Sequence, residues 1–231
     1  MPAQAAALQG NNEALELVLK SDRRSNNVWA GKGAVANGHF STLDLLLEPK
    51  WELKQMTNYY LNKSVLRGLM ENNSIAMFTR AFPLISDYEP DPRCPGSPIG
   101  HFLKCAVERG YVMLALHLIR LGAPLTGYCS FTSGEDNPLW SACKSGSEHS
   151  VRLLLRKGVS PNTDPDMPYS CPLQVAASRG HLGVVRTLLR FGADVDRASK
   201  DGPPPIVYAI RLEHGTMFQL LKEVRILHRR V

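Results

Sequence analysis

The sequence predicts an all-α fold: a solenoid of stacked helix-turn-helix repeats with extended hairpin or loop fingers. Similar lines of sequence recur along the 231 residues, and Gly110, Gly146 and Gly180 lie 36 and 34 residues apart in the same setting. A fixed period of this length is typical of repeat architectures. Apolar residues recur at helical spacing on both sides of each glycine, which accepts the left-handed backbone of a tight helix–helix turn. Each repeat is therefore expected to bury its apolar face against the next.

The first three repeats diverge most from the common pattern. The first has Ala6, Ala7 and Gly10 ahead of Leu15, while the third has Asn72-Asn73 at the turn where glycine is usual. A Pro-rich segment follows the third repeat, from Phe82 to Gly100, and predicts a stiff, extended loop. This loop could break the array near 83–98, although packing could equally continue straight through it.

The remaining four repeats follow the pattern more closely, although Glu213 stands at the turn of the last one. Two further long loops are expected at 126–137 and 160–171. The whole chain is predicted to form a single array. Its repeats are expected near residues 1–27, 28–62, 63–98, 99–136, 137–170, 171–201 and 202–231.

The line at 172–196, PLQVAASRGHLGVVRTLLRFGADVD, resembles the ankyrin repeat. That family pattern is a turn, Thr-Pro-Leu-His, a short helix, Gly-His, a second helix, then Gly-Ala and Asn. Gly180-His181 match it, whereas Gln174 replaces the His and Cys171 the Thr. About seven units fit, best over 138–222, and the resemblance implies a non-catalytic protein-binding scaffold. The divergent Asn-Asn turns are also similar to large, diversifying ankyrin sets such as those of filamentous fungi.

Composition narrows the class of protein. No apolar stretch approaches the roughly 20 residues that span a bilayer, and the N-terminus lacks the features of a signal peptide. Five cysteines make an odd number with no close pairing, which favours a reducing compartment, either cytoplasm or nucleus. Two of them, Cys105 and Cys143, fall at inner-helix positions where a small buried thiol packs well. Pro2 already occupies the pattern's Pro, so we expect a trimmed array or another segment covering this end.

The family resemblance also predicts a partner-binding surface. The resemblance implies that partners bind the concave side, which is made of the hairpin tips and the exposed positions of each first helix. Those positions are the residue after the pattern's Leu and the two residues before the turn. These positions hold a series of bases and one tryptophan, opposed by Glu71 and Glu108 alone. They are Lys32, Arg67, Lys104, Arg109, Trp140, Lys144, Arg179 and Arg211. The alternative is an ordinary solvated surface, since a net charge of +6 raises the chance of such a series.

The expected partner is a protein with an acidic or phosphorylated segment, because evenly spaced bases suit such a ligand. An adaptor for nucleic acid or anionic lipid is the alternative; nucleic acid is disfavoured because its motifs and aromatic platforms are lacking apart from Trp140. An unconventional enzyme or small-molecule site built from the long loops is a more distant alternative. No catalytic set, cofactor or metal site is expected.

The histidines support that expectation in two ways. His39 and His181 occupy the turn position where the family has a structural His. The others show no paired ligand spacing with cysteine or carboxylate. They are His101, His117, His149, His214 and His228.

Overall fold

The computed structural model describes residues 2–21, 27–48, 73–85, 98–125, 137–162, 171–199 and 202–228. Every regular element within these ranges is an α-helix, and no strand occurs in them, so the predicted all-α class is confirmed. The helices are α1 Pro2–Gln9, α2 Asn12–Ser21, α3 Asn27–Ala36, α4 Phe40–Leu47, α5 Ile75–Ile85, α6 Pro98–Glu108, α7 Val112–Arg120, α8 Pro138–Ser145, α9 Glu148–Arg156, α10 Pro172–Ser178, α11 Leu182–Arg190, α12 Pro205–Arg211 and α13 Gly215–His228.

The chain divides into two compact units, Met1–Pro90 and Asp91–Val231. In the N-terminal unit α1 packs against α2 and α3, and α4 packs against α2 and α3, so two helical hairpins stack on each other. Arg80 of α5 forms an ion pair with Asp44 of α4. The predicted count of seven repeats and their continuity as one array stay predictions.

The C-terminal unit has two layers of helices. The first helices of successive repeats, α6, α8, α10 and α12, pack side by side in that order. The second helices, α7, α9, α11 and α13, form the other layer in the same order. Each first helix also packs against the second helix of its own repeat. This is the stacked helix-turn-helix arrangement that the sequence period predicts.

The repeats share a turn that ends the first helix. In α8, Asn137 caps the start by accepting a hydrogen bond from the Leu139 amide at 2.8 Å, and Gly146 ends the helix at φ +77°. Backbone amides then close the turn, from Gly146 to Cys143 at 3.3 Å and from Ser147 to Ala142 at 3.1 Å. These are the paired bonds of a Schellman motif, which requires a left-handed residue.

Two of the turns hold the left-handed backbone without glycine, as the alignment of the repeats predicts. Asn73 has φ +51° and Glu213 has φ +52°. At the latter turn, the amides of Glu213 and His214 bond to Ile210 and Ala209, repeating the pattern of the glycine turns. Asn tolerates this region better than Glu, because its short side chain can bond locally. Asn72 lies outside the described residues.

The buried core positions recur with the same period as the sequence repeats. Equivalent first-helix leucines in the fourth, fifth and sixth repeats, Leu103, Leu139 and Leu173, are all fully buried. The second helices bury Leu118, Leu154 and Leu188 in the same way. Because a buried leucine contributes about 2 kcal/mol, repeated burial compensates for helices too short to be stable alone.

The predicted Pro-rich loop from Phe82 to Gly100 is wrong at both ends. Helix α5 continues through Pro83 to Ile85, and α6 begins at Pro98. Pro83 has no amide to donate to the Thr79 carbonyl, and its ring crowds that carbonyl, so it favours an early end of the helix; α5 ends at Ile85. A proline at the first position of a helix loses no bond, so Pro98 suits the start of α6. Residues 86–97, with most of the 126–137 and 160–171 loops, lie outside the described residues.

Candidate partner-binding surface

The first helices of the C-terminal unit carry two parallel rows of residues just before their turns. The residue two before the turn is Glu108, Lys144, Ser178 and Arg211 in successive repeats, and the residue one before it is Arg109, Ser145, Arg179 and Leu212. Each of the four first helices thus supplies one base. We call Arg109, Lys144, Arg179 and Arg211 the basic strip. Its three arginines are exposed and Lys144 is half-buried.

The side chain of Lys144 lies over the ring of Trp140. The ammonium nitrogen is 4.6 Å from the ring centroid, within the range of a favourable cation–π contact. Trp140 itself is only 9% exposed. The sequence leaves exposure and burial of Trp140 both open, and the structure shows burial: the ring lies beneath Lys144 and supports it.

Gln174, at the same position of the next repeat, is also buried, with 2% exposure. Its amide nitrogen donates to the Pro203 carbonyl at 2.9 Å, and its amide oxygen accepts from the Ser199 backbone at 3.2 Å. The position after the pattern's Leu thus faces the following connector in this repeat, so its predicted exposure is wrong. Lys104, the equivalent residue of the fourth repeat, is half-buried.

The structure describes no side chain for the two predicted site residues of the N-terminal half. Lys32 lies on α3, where only its backbone is described, and Arg67 lies outside the described residues. Glu71, one of the two opposing acids, also lies outside them. The other, Glu108, is half-buried beside Arg109 in the rows of the C-terminal unit.

Histidines after the turns tie one repeat to the preceding one. Nε2 of His181 lies 3.2 Å from the carbonyl oxygen of Lys144, which can only accept a hydrogen bond. His39 does the same in the N-terminal unit, with Nε2 at 3.0 Å from the carbonyl oxygen of Leu8. The structural role predicted for both histidines is confirmed. Because His181 bonds to the backbone of Lys144, it also fixes the end of α8 from which the strip projects.

The connectors between repeats are joined by side-chain bonds as well. Asn162 donates to the Gly192 carbonyl at 3.0 Å and accepts from the Asp194 amide at 2.9 Å. Asp196 then pairs with Arg225 of α13 at 2.8 Å. These contacts join the fifth, sixth and seventh repeats at the ends of their second helices.

A histidine and a cysteine that the sequence does not pair lie together on α6. Nε2 of His101 lies 3.6 Å from Sγ of Cys105, one turn further along α6. The four-residue spacing on a helix was the signal that could have found it. Cys105 is half-exposed, which corrects its expected burial.

The other two described cysteines are buried, which is confirmed for Cys143. Burial raises the pKa of the Cys143 thiol, and the neighbouring Cys171 raises it further. Burial also raises the pKa of Cys171. Both thiols are therefore held in their unreactive protonated form. Cys94 and Cys129 lie outside the described residues, and within the described part no group of three or more His, Cys, Asp or Glu could hold a metal ion.

Comparison with known proteins identifies the repeats. Residues 139–228 match the family model described as ankyrin repeats, in three copies. The chain carries ankyrin repeats. The matched copies span α8 to α13, which are the helices of the fifth, sixth and seventh repeats.

Three relatives show how widely such repeats occur. Human ankyrin repeat domain-containing protein 63 is 34% identical over 71 residues, which are 31% of this chain and 18% of that protein. Ankyrin repeat and KH domain-containing protein mask-1 of Caenorhabditis elegans is 31% identical over 108 residues, 47% of this chain and 4% of that protein. The mouse 2-5A-dependent ribonuclease is 33% identical over 88 residues, 38% of this chain and 12% of that protein. The chain thus spans less than a fifth of each.

Ankyrin repeats are in general protein–protein interaction modules, whose stacking creates an extended binding surface. One relative is by its name a ribonuclease, so ankyrin repeats also accompany enzymes. Among the described residues, no helix has both the length and the apolar character needed to cross a bilayer.

Proposed function

We propose that the chain is a non-catalytic interaction scaffold and that its ankyrin repeats bind a protein partner along the basic strip. One observation carries the proposal: four consecutive first helices, packed side by side, each place a base just before the turn. Solvation of a helix face explains any one of these charges, but it favours neither sign. Positive charge repeated within the last two positions before each turn instead suits a partner of opposite charge, since electrostatic complementarity guides encounter and specificity.

The spacing of the strip defines the chemistry of the partner. Packed helices lie about 10 Å apart, and an extended chain advances about 3.3 Å per residue. An extended peptide crossing the first helices would therefore meet a new base about every third residue. We propose a segment with acidic or phosphorylated residues at that interval, because Arg binds carboxylate and phosphate groups through paired hydrogen bonds.

The strip is restrained before the partner arrives. Trp140 supports the Lys144 side chain, while the His181 ring bonds to the Lys144 carbonyl. A side chain already restrained loses less conformational freedom on binding, so less of the interaction energy is spent on ordering it. Among the strip residues, Lys144 is thus the best candidate for a strong contribution to affinity. We also propose that the protein is located in the cytoplasm or nucleus.

The test is affinity capture of partners from the protein's own cells with a charge-reversed strip. The variant that combines Lys144→Glu with Arg179→Glu should capture none of these partners, while its circular dichroism should show unchanged helix content. Arg120→Glu with Arg156→Glu is the matched control: it makes the same charge change at exposed residues of the second helices. The control should retain the partners.

Two results would count against the proposal. Retention of the same partners by the strip variant would make the strip ordinary surface. Equal loss from both variants, with steeply salt-dependent binding to bulk DNA or phosphoinositide vesicles, would favour the adaptor for nucleic acid or anionic lipid. The pI of about 9.1 is the observation that favours this alternative, because a basic protein attracts nucleic acid and anionic lipid.

A further inference from the structure

A groove runs between two helices of the second layer, away from the basic strip. It lies between α11 and α13 and encloses about 450 Å³. Its lining comes from Arg186, Leu189 and Arg190 on α11, with Leu220 and Val224 on α13. We propose that this groove is a second docking site, which binds an amphipathic helix of a partner protein with acidic residues beside an apolar face.

The floor of the groove offers apolar surface to a ligand. Leu189, Leu220 and Val224 are each half-buried, so part of every side chain stays in contact with solvent. Covering such surface is favourable by about 25 cal/mol per Å². The volume falls within the roughly 300–1,000 Å³ of typical binding pockets, which is enough for the few side chains on one face of a helix.

The rim of the groove is positively charged. Arg186 and Arg190 are exposed, and neither forms an ion pair with a carboxylate in the part of the chain that the structure describes. Two other arginines of this layer are paired, Arg152 with Glu148 at 2.5 Å and Arg225 with Asp196 at 2.8 Å. The neighbouring Lys222 and Glu223 do not line the groove. Two guanidinium groups therefore stand beside apolar surface without an acidic partner, and a ligand with carboxylates would complement them.

The register of the lining favours a helical ligand. Arg186 and Arg190 are four residues apart on α11, and Leu220 and Val224 are four apart on α13. The lining of both helices thus repeats about every 6 Å along the groove, which is the rise of four helical residues. A partner helix with acidic residues at i and i+4 repeats at the same interval, so both carboxylates can reach an arginine while its apolar face covers the leucines.

Selection from a peptide library tests the proposal without a known partner. Displayed helical peptides with one randomised face are selected against the full chain and, in parallel, against the chain with Arg186→Glu and Arg190→Glu. We expect enrichment on the unmodified chain of peptides with acidic residues four apart beside Leu, Ile, Phe or Met. Enrichment of the same peptides on both chains, or of none on the unmodified chain, would overturn the groove as a docking site.

A charge swap then locates the enriched peptide. Its Kd, measured by fluorescence anisotropy, should rise about tenfold or more on the Arg186→Glu/Arg190→Glu chain. Inverting the peptide's two acids to Lys should restore binding to that chain, which also shows that the variant is folded. The Arg120→Glu/Arg156→Glu control and the Lys144→Glu/Arg179→Glu strip variant should both keep the original Kd.

The remaining outcomes contradict the proposal. Loss of the peptide from the Arg120→Glu/Arg156→Glu control would assign the binding to general positive charge. Loss from the strip variant would assign it to the first-helix layer. Phosphatidylserine vesicles test whether lipid is the ligand of this surface: if they displace the peptide equally from the unmodified chain and from the Arg120→Glu/Arg156→Glu control, the surface binds membranes and is not a peptide groove.

Discussion

At the scale of single residues, two separate constraints act on the turn glycines. Gly146 has φ +77°, and a Cβ built there would lie 2.8 Å from ring atoms of His181. Gly158 has φ +89°, but a Cβ at that position would meet nothing within 4 Å. Glycine is thus favoured by backbone conformation alone at 158, and by both backbone and packing at 146.

Alanine substitution separates these two constraints. We expect Gly158→Ala to lower the free energy of unfolding by about 1 kcal/mol, the cost of a left-handed alanine. Gly146→Ala should cost about 2–3 kcal/mol, because the His181 ring must also move away from the Lys144 carbonyl. Urea denaturation of both variants measures the difference. Equal losses would mean that the histidine contact contributes nothing.

The last repeat offers the reverse experiment. Glu213 holds φ +52° in a turn where the fourth, fifth and sixth repeats use glycine, so its Cβ is strained. Glu213→Gly should raise the free energy of unfolding by about 1 kcal/mol. The control is Glu223→Gly on α13, an exposed helical position where glycine should cost about 1 kcal/mol. If both substitutions destabilise the protein, the turn is not strained.

Single residues also show which structural features can be predicted from the sequence and which cannot. The turn conformations of Asn73 and Glu213 could be predicted, because the period places them where glycine recurs. The burial of Trp140 and Gln174 could not, since it depends on which neighbouring element covers a position. In the case of Gln174 that element is the connector holding Ser199 and Pro203, whose path the pattern does not define.

At the scale of elements, the connectors after the second helices are joined by one side chain. Asn162 follows α9 and bonds to two backbone groups, Gly192 and Asp194, which follow α11. Both bonds cross from the fifth to the sixth repeat. The family pattern places Asn at this position, and its amide can donate and accept at once.

Removing that amide should loosen the connection between the two repeats. We expect Asn162→Ala to cost about 1–2 kcal/mol, since two hydrogen bonds to the backbone are lost. The Asp194 amide should also exchange its hydrogen faster, which NMR detects at that residue. Lys157→Ala is the control, because Lys157 is an exposed residue directly after α9 and lies outside the bonds of Asn162. Unchanged exchange at Asp194 would exclude the proposed connection.

The bounds of elements depend on effects that the period does not capture. The recurring apolar residues predict that helices exist, but the prolines from Phe82 onward predict a loop. In the structure Pro83 lies inside the last turn of α5, and Pro98 begins α6. Proline is favoured at the first position of a helix, and the last turn can hold one at the cost of a hydrogen bond, so a proline count alone does not define where a loop begins.

At the scale of the whole molecule, the repeat predicts stacking but not the character of the surface. Equivalent leucines are buried in repeat after repeat, so the two layers follow from sequence. The basic strip was predicted residue by residue in the C-terminal unit, although Trp140 lies beneath Lys144. The groove between α11 and α13 was missed, because it combines residues of two repeats that no single pattern compares.

Stacking predicts how much of the chain is needed for stability. Each repeat buries its apolar face only against its neighbours, and about three repeats are needed before a stack is stable. The C-terminal unit, Asp91–Val231, holds four such helix pairs and the contacts described between them. We therefore expect a chain of residues 91–231 to be helical by circular dichroism and to unfold cooperatively on heating.

A chain of residues 171–231 keeps only two repeats and loses the α8–α10 and α9–α11 contacts, so it should show little helix and no cooperative transition. An unfolded 91–231 chain would show that this unit depends on the N-terminal one, and a stable 171–231 chain would show that neighbouring repeats contribute less than the stacking argument requires.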